Sequence, residues 1–306
     1  NFDQFGVHLG DDYLVSLQAL YAVTNNGFRW VDLAQTDLAA ALPAGVAPDG
    51  RPIYADLEDL GINNAIQLTN YDDGSSLTLT AALSKQYDNG LGFYASYAHQ
   101  DIESVTPGSS SRGVSNFRSI IDFDRNNPGA YTAPYQTEHA FKVNLSYEKE
   151  IFGDLNSRFN LFGQIYSGEP FSYTFDISSS NALFGRPGDG ESPYDNDLLY
   201  VPAISGGAIN DPGVVVASGF DEQAFIEYGQ SHGWDFGSIQ KRNDDESSWT
   251  QRWDFQYQQE LPFFNDAAAK YVGENRLKFV LDIKNVANLL NDEWGTQYSG
   301  SSYDEV

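Results

Sequence analysis

The chain has 306 residues, with 43 acidic against 17 basic side chains, a net charge of −26, and neither cysteine nor methionine. That balance excludes a nucleic-acid footprint, which needs a basic surface, and the lack of cysteine removes disulfides, thiol catalysis and thiolate metal sites. At 41% hydrophobic the chain is too apolar for disorder, yet no apolar run approaches the ~18–20 residues of a membrane helix, a test a β-barrel escapes because its two faces alternate along each strand.

Period-two alternation predicts strands, in chain order, at 12–24, 76–86, 90–103, 138–148, 157–167, 249–261 and 275–286, with weaker signals at 27–34 and 64–71. Leu77, Leu79, Ala81 and Leu83 interleave with Thr78, Thr80, Ala82 and Ser84. Trp253, Phe255 and Tyr257 interleave with Arg252, Asp254, Gln256 and Gln258, and Leu277, Phe279, Leu281 and Ile283 with Lys278, Val280, Asp282 and Lys284. Successive strand side chains point to opposite faces, so each segment has one greasy and one wet face. Most segments reach the ~9–11 residues that cross a bilayer at a tilt.

The connections alternate in length. Tyr87-Asp88-Asn89-Gly90 is a tight hairpin turn. Lys149 to Asn156 is short and Pro262 to Asn275 moderate, whereas 35–63, 104–137 and 168–248 are long and polar. Outer-membrane barrels alternate short turns on one side with long loops on the other. Keeping that parity requires Asn25-Asn26-Gly27 and Asp72-Asp73-Gly74 to be kinks inside long strands at 12–34 and 64–86, not hairpin turns. Tyr13, Tyr21, Phe93, Tyr97, Phe141, Tyr147, Trp249 and Tyr257 fall towards the ends of the apolar faces, as girdle residues do. The pattern therefore predicts an all-β chain forming an antiparallel transmembrane β-barrel. Leu79, Phe141, Leu145, Phe159, Leu161 and Phe279 should face out, and Thr80, Asn144, Ser146, Gln164 and Asp282 in. A soluble β-sandwich, for instance one that binds carbohydrate, also alternates and stands as an alternative.

From residue 181 onward the residues carry a resemblance. Asp195-Asn196-Asp197-Leu198-Leu199-Tyr200-Val201-Pro202 is similar to the "NDLxYxP" segment of TonB-dependent outer-membrane receptors of the Oar-like type, the branch with a carboxypeptidase-regulatory-like domain. Phe225-Ile226-Glu227-Tyr228 stands where that family has a short helix. Ile239-Gln240-Lys241-Arg242-Asn243 followed by Trp249 resembles its "I-x-x-R-N … W" stretch, although Phe236-Gly237 replaces the usual Arg-Gly pair. Asp282-Ile283-Lys284-Asn285-Val286-Ala287-Asn288-Leu289-Leu290-Asn291 with Trp294-Gly295 resembles "D-x-x-N-x-x-N-L-L-N-x-x-W-G". Looser matches, including Leu68-Thr69-Asn70, Ser109-Ser110-Ser111 and Glu138-His139, extend the likeness to about residue 60.

The resemblance implies a 22-stranded plugged barrel in the outer membrane of a Gram-negative cell, importing a nutrient (oligosaccharide, peptide or metal chelate) with energy from the TonB complex. On that basis residues 1–306 are expected to be the C-terminal portion of the barrel, about eight of its strands. The plug, the N-terminal domains and the remaining strands would lie outside. The expected partners are outer-membrane lipid, the plug, the TonB complex and a small nutrient. A surface or adhesion protein displaying acidic, aromatic loops on the same barrel is the other reading.

Chemistry-bearing residues are sparse. His8, His99, His139 and His232 are scattered without ligand spacing, and no catalytic constellation stands out, so enzymatic activity is not expected. Asp189, Glu191, Asp195, Asn196 and Asp197 crowd oxygens into a Gly-containing loop, which suits a hard cation such as Ca²⁺, although the spacing is not that of an EF-hand and an uncoordinated acidic loop is the commoner meaning of such a cluster. Arg252, Asp254, Glu260, Lys278, Asp282 and Lys284 are expected on the lumen face, paired across strands or holding the plug. Among the loop aromatics, Tyr173, Tyr194, Tyr200 and Trp234 are candidates to stack on a substrate, or to build the loops' own core.

Overall fold

The computed structural model describes residues 2–9, 13–35, 45–54, 57, 61, 64–106, 108, 110–175, 184, 196–261, 277–294, 296 and 303–305. Its main strands are β1 (Phe2–Leu9), β2 (Tyr13–Val23), β3 (Gly27–Asp32), β4 (Ile66–Tyr71), β5 (Ser75–Gln86), β6 (Leu91–Ser104), β7 (His139–Phe152), β8 (Leu155–Tyr166), β9 (Pro170–Thr174), β10 (Thr250–Leu261) and β11 (Leu277–Ile283). Two helices are α1 (Gly113–Arg118) and α2 (Glu222–Ser231), the second spanning Phe225–Tyr228. The architecture is all-β and antiparallel, in the order β1-β2-β5-β6-β7-β8-β10-β11. The sheet is open: among the described residues β1 and β11 do not pair with each other.

β1 is a strand the alternation did not predict. Asp3 stands on the parity of Phe5, Val7 and Leu9 and Phe2 on the opposite one, so the alternation is short, and pairing with β2 supplies what local pattern lacks. The β7–β8 turn is tighter than expected, closing at Phe152 and Leu155 with Gly153 at φ 65°. β11 ends early, because Asn285 turns left-handed (φ 52°) into a 3₁₀ turn at Val286–Leu289.

The two ambiguous spots are kinks. β2 pairs with β5 and β3 with β4, so the β2–β3 and β4–β5 junctions bend one long ribbon. The bend is held by Thr24 N–H donating to the Gly74 carbonyl at 3.0 Å, with Asn26 at φ 54° and Gly74 at φ 104°. A Cβ on Gly74 would lie 2.8 Å from the Glu103 carbonyl oxygen, so glycine is required there. With these kinks, the segments after β3, β6 and β8 all leave the sheet at one end.

One perpendicular row of paired residues runs Tyr13, Lys85, Phe93, Leu145, Leu161, Phe255, Ile283. Tyr13 is the first residue of β2 at the short-turn end, whereas Ile283 is the last of β11, whose short-turn end is Leu277.

Among the described residues, no buried hydrophobic side chain lies on the eight long strands of the sheet. Val105, Phe117, Ile120, Ile121, Phe171, Tyr173, Leu198, Leu199, Val201 and Trp234 belong to the segments at the long-loop end, where Phe171, Tyr173, Leu199, Val201 and Trp234 form one cluster.

Candidate functional site

The sheet presents two surfaces. Register places Leu17, Leu79, Leu83, Phe141, Val143, Leu145, Phe159, Leu161, Ile165, Phe255, Leu281 and Phe279 on one face, and among the described residues much of it stays exposed. Leu17 is 51% exposed and Phe279 48%. Soluble monomers rarely leave an apolar patch this continuous.

Aromatic rings edge that face at both ends. Towards the short turns, Tyr13 meets Phe93, and Tyr147, Phe159, Tyr257 and Phe279 follow in successive ring contacts. Towards the long loops, Tyr97 packs on Phe141 at 4.7 Å, and both Phe141 and His139 meet Trp249. Between the rows lie aliphatic residues and Gly163, over which the Trp253 ring lies. The indole covers the bare backbone, as aromatic rescue of a strand glycine does. A shallow depression of about 690 Å³ opens over Ala19 and Ala81, bordered by Leu17, Leu79, Tyr97, His99 and His139.

The opposite face carries Thr78, Thr80, Ser96, Lys142, Asn144, Ser146, Arg158, Gln164, Arg252, Gln256 and Asp282, interspersed with alanines and with Leu14, Leu20, Tyr94, Ile102, Phe162, Tyr166 and Val280. Its charges are joined. Arg252 donates to both Asp254 oxygens at 3.0 Å, and Lys284 reaches Asp254 at 3.4 Å. Lys278 lies 3.9 Å from Glu260, Arg158 pairs with Glu148, and Gln256 donates to Asp282 at 2.6 Å. The Arg252–Asp254 pair lies within β10, whereas the Lys278–Glu260, Arg158–Glu148 and Gln256–Asp282 contacts cross strands, which helps set register and limits the charge left facing the open side.

In the loop body, the residues that carried the resemblance hold segments together. Arg242 is buried and donates to the backbone carbonyls of Ser104, Val105 (2.9 Å) and Ile121 (3.4 Å), with its guanidinium over the Tyr131 ring. Asp122 lies 3.8 Å away, and burial pushes its carboxyl up to about 6 despite that cation. Arg51 donates to the Leu198 carbonyl at 2.6 Å.

The proposed calcium cluster divides. Asn196 donates its amide to the Arg118 and Ile120 carbonyls, and Asp197 pairs with Arg125 at 3.3 Å. Asp189, Glu191 and Asp195 lie outside the described residues. Of the candidate substrate aromatics, Tyr173 and Trp234 are buried together, ring centroids 4.8 Å apart, in the loop body's core. The Tyr173 hydroxyl donates to Asp245 at 2.6 Å, and burial with that carboxylate raises its pKa. Tyr200 donates to Asp211 at 2.6 Å, and Tyr194 lies outside the described residues.

The histidines that look scattered along the chain do not remain so. His99 and His139 are direct cross-strand partners in β6 and β7, their rings 5.3 Å apart. Their meeting follows from the β6–β7 register; the alternation puts 99 and 139 on one face but does not by itself set them opposite each other.

No family model matches the chain, and no curated protein does.

Proposed function

We propose that this chain is a section of the wall of an outer-membrane β-barrel, of the kind found in Oar-like TonB-dependent receptors, and that the whole protein imports a nutrient. The observation carrying this reading is the exposed apolar face, edged at both ends by aromatic rows and backed by a polar face. Lipid is the medium that such a surface fits. Three long segments at one end support the same reading. The closed barrel, some 22 strands in this family, would draw its other strands and its plug from the rest of the protein. Cargo would be an oligosaccharide, peptide or metal chelate, passed on without chemical change.

Because the chain has no native cysteine, its orientation can be read by labelling the full-length protein. Val215, 95% exposed in the loop body, should react as Val215→Cys with a membrane-impermeant maleimide on intact cells. Asp88→Cys, in the β5–β6 turn, should react only after the outer membrane is permeabilised. Release of the protein into the aqueous fraction without detergent would sink the membrane reading and favour a soluble β-sheet domain. Retention in the membrane without TonB-dependent uptake of any nutrient would favour surface display.

A further inference from the structure

We propose that His99, His139 and Glu138 form a binding site for a divalent transition metal, Zn²⁺ or a close relative, at the long-loop edge of the apolar face. One ligand atom from each of the three residues lies within 4.8 Å of the others. His139 uses both nitrogens locally: Nδ1 is 2.9 Å from the Tyr97 hydroxyl, and Nε2 is 3.4 Å from the Glu138 carboxylate. His99 Nδ1 is buried with no hydrogen-bond partner among the described residues. A buried, unpaired imidazole nitrogen beside a second imidazole and a carboxylate is an arrangement a metal ion satisfies.

Two further features fit a cation and not an anion. Glu246, at the neighbouring Asp245–Glu246 strand, stands close enough to Glu138 for the two carboxyls to repel, so a second carboxyl lies beside the three donors. The Trp249 ring stacks on His139 at 5.7 Å, and Tyr97 lies over it at 6.0 Å. These rings limit solvent access on one side and hold the imidazole in place. The mixed nitrogen and oxygen set selects Zn²⁺, Ni²⁺ or Cu²⁺ over Ca²⁺ and Mg²⁺, which prefer all-oxygen shells. Bond lengths of ~2.0–2.2 Å put tetrahedral ligand atoms roughly 3.3 Å apart, so the donors must close by up to about 1.5 Å. Small χ rotations at the three side chains supply that movement.

The site does not depend on the membrane reading, since backbone pairing alone sets the two histidines opposite each other. The test titrates Zn²⁺ alone into the purified full-length protein, freed of metal by chelator, and into His99→Gln, His139→Gln and His232→Gln variants. Wild type and His232→Gln should take up one ion per chain at this site, and the other two variants should bind at least tenfold more weakly. Co²⁺ in wild type should give the visible d–d absorption of a four- or five-coordinate site with imidazole donors, a readout that needs no variant to fold. Absence of saturable Zn²⁺ uptake and of that Co²⁺ spectrum in wild type would overturn the proposal. So would unchanged affinity in folded His99→Gln and His139→Gln proteins.

Discussion

Arg242 and Asp122 are both buried, at 6% and 8% exposure, yet they approach only to 3.8 Å and share no direct hydrogen bond. Desolvation therefore outweighs their attraction: Asp122 is raised to about 6, and the Arg242 pKa is lowered by the same burial. What fixes Arg242 is the set of carbonyls from Ser104, Val105 and Ile121. Arg242→Ala would leave those carbonyls without their donor and the buried Asp122 carboxylate without its neighbouring cation, at about 3–5 kcal/mol of loop-body stability. Denaturant unfolding read by Trp234 fluorescence checks this, and a loss below 1 kcal/mol would contradict it. Asp122 also makes stability depend on pH. An acid with a raised folded pKa holds its proton more tightly when folded, so its stabilisation is full below the ordinary value of 3.8 and is lost as pH rises through about 6. Two units correspond to about 3 kcal/mol. Asp122→Asn should flatten the change in denaturant midpoint between roughly pH 4 and 6; equal slopes in both proteins would refute the assignment.

Individual strands follow from pairing more than from their own residues. Gly163 lies under the Trp253 indole, where a Cβ would stand 2.3 Å from the ring. Gly163→Val should therefore displace Trp253 and destabilise by about 1–3 kcal/mol, seen as a shift in tryptophan emission together with a lower unfolding midpoint. Facing can be tested on adjacent residues of β7. Val143→Arg, between the aromatic rows, should cost about 2–4 kcal/mol of folding into a bilayer, while Asn144→Arg on the polar face should cost little. Equal penalties would mean that the two faces meet the same medium. These two faces were legible in the sequence, because period two assigns a face without reference to any partner strand. The kinks were legible too, since loop parity left one arrangement. Other features depend on partners far along the chain. β1 has a broken pattern that β2 completes. His99 meets His139 through register, and Arg242 and Asn196 act on carbonyls more than 70 residues away. No local spacing encodes those contacts. Tyr173 and Trp234 show the same limit: an aromatic loop sequence reads alike whether its rings face a ligand or each other.

At the scale of the molecule, among the described residues the sheet is bounded by β1 on one side and β11 on the other, and these two edges do not pair with each other. In a hydrocarbon medium each unpaired backbone group costs several kcal/mol, so an open edge cannot rest against lipid. Short circuiting β1 to β11 would close eight strands around an interior just wide enough for packed side chains. The polar face instead carries long side chains, Arg158, Arg252 and Lys278 among them, that satisfy one another and the sheet without meeting across a lumen. The arrangement suits a wider ring in which β1 and β11 each pair with further strands. In the full-length protein in detergent, amides of β1 and β11 that point away from β2 and β10 should therefore exchange with deuterium as slowly as those of β7. Excised residues 1–306 should show fast exchange at the same amides and fail to refold into vesicles. Slow exchange at both edges of the excised chain, in a monomer stable in detergent, would mean that the eight strands close on themselves, and the large-barrel assignment would fall with it.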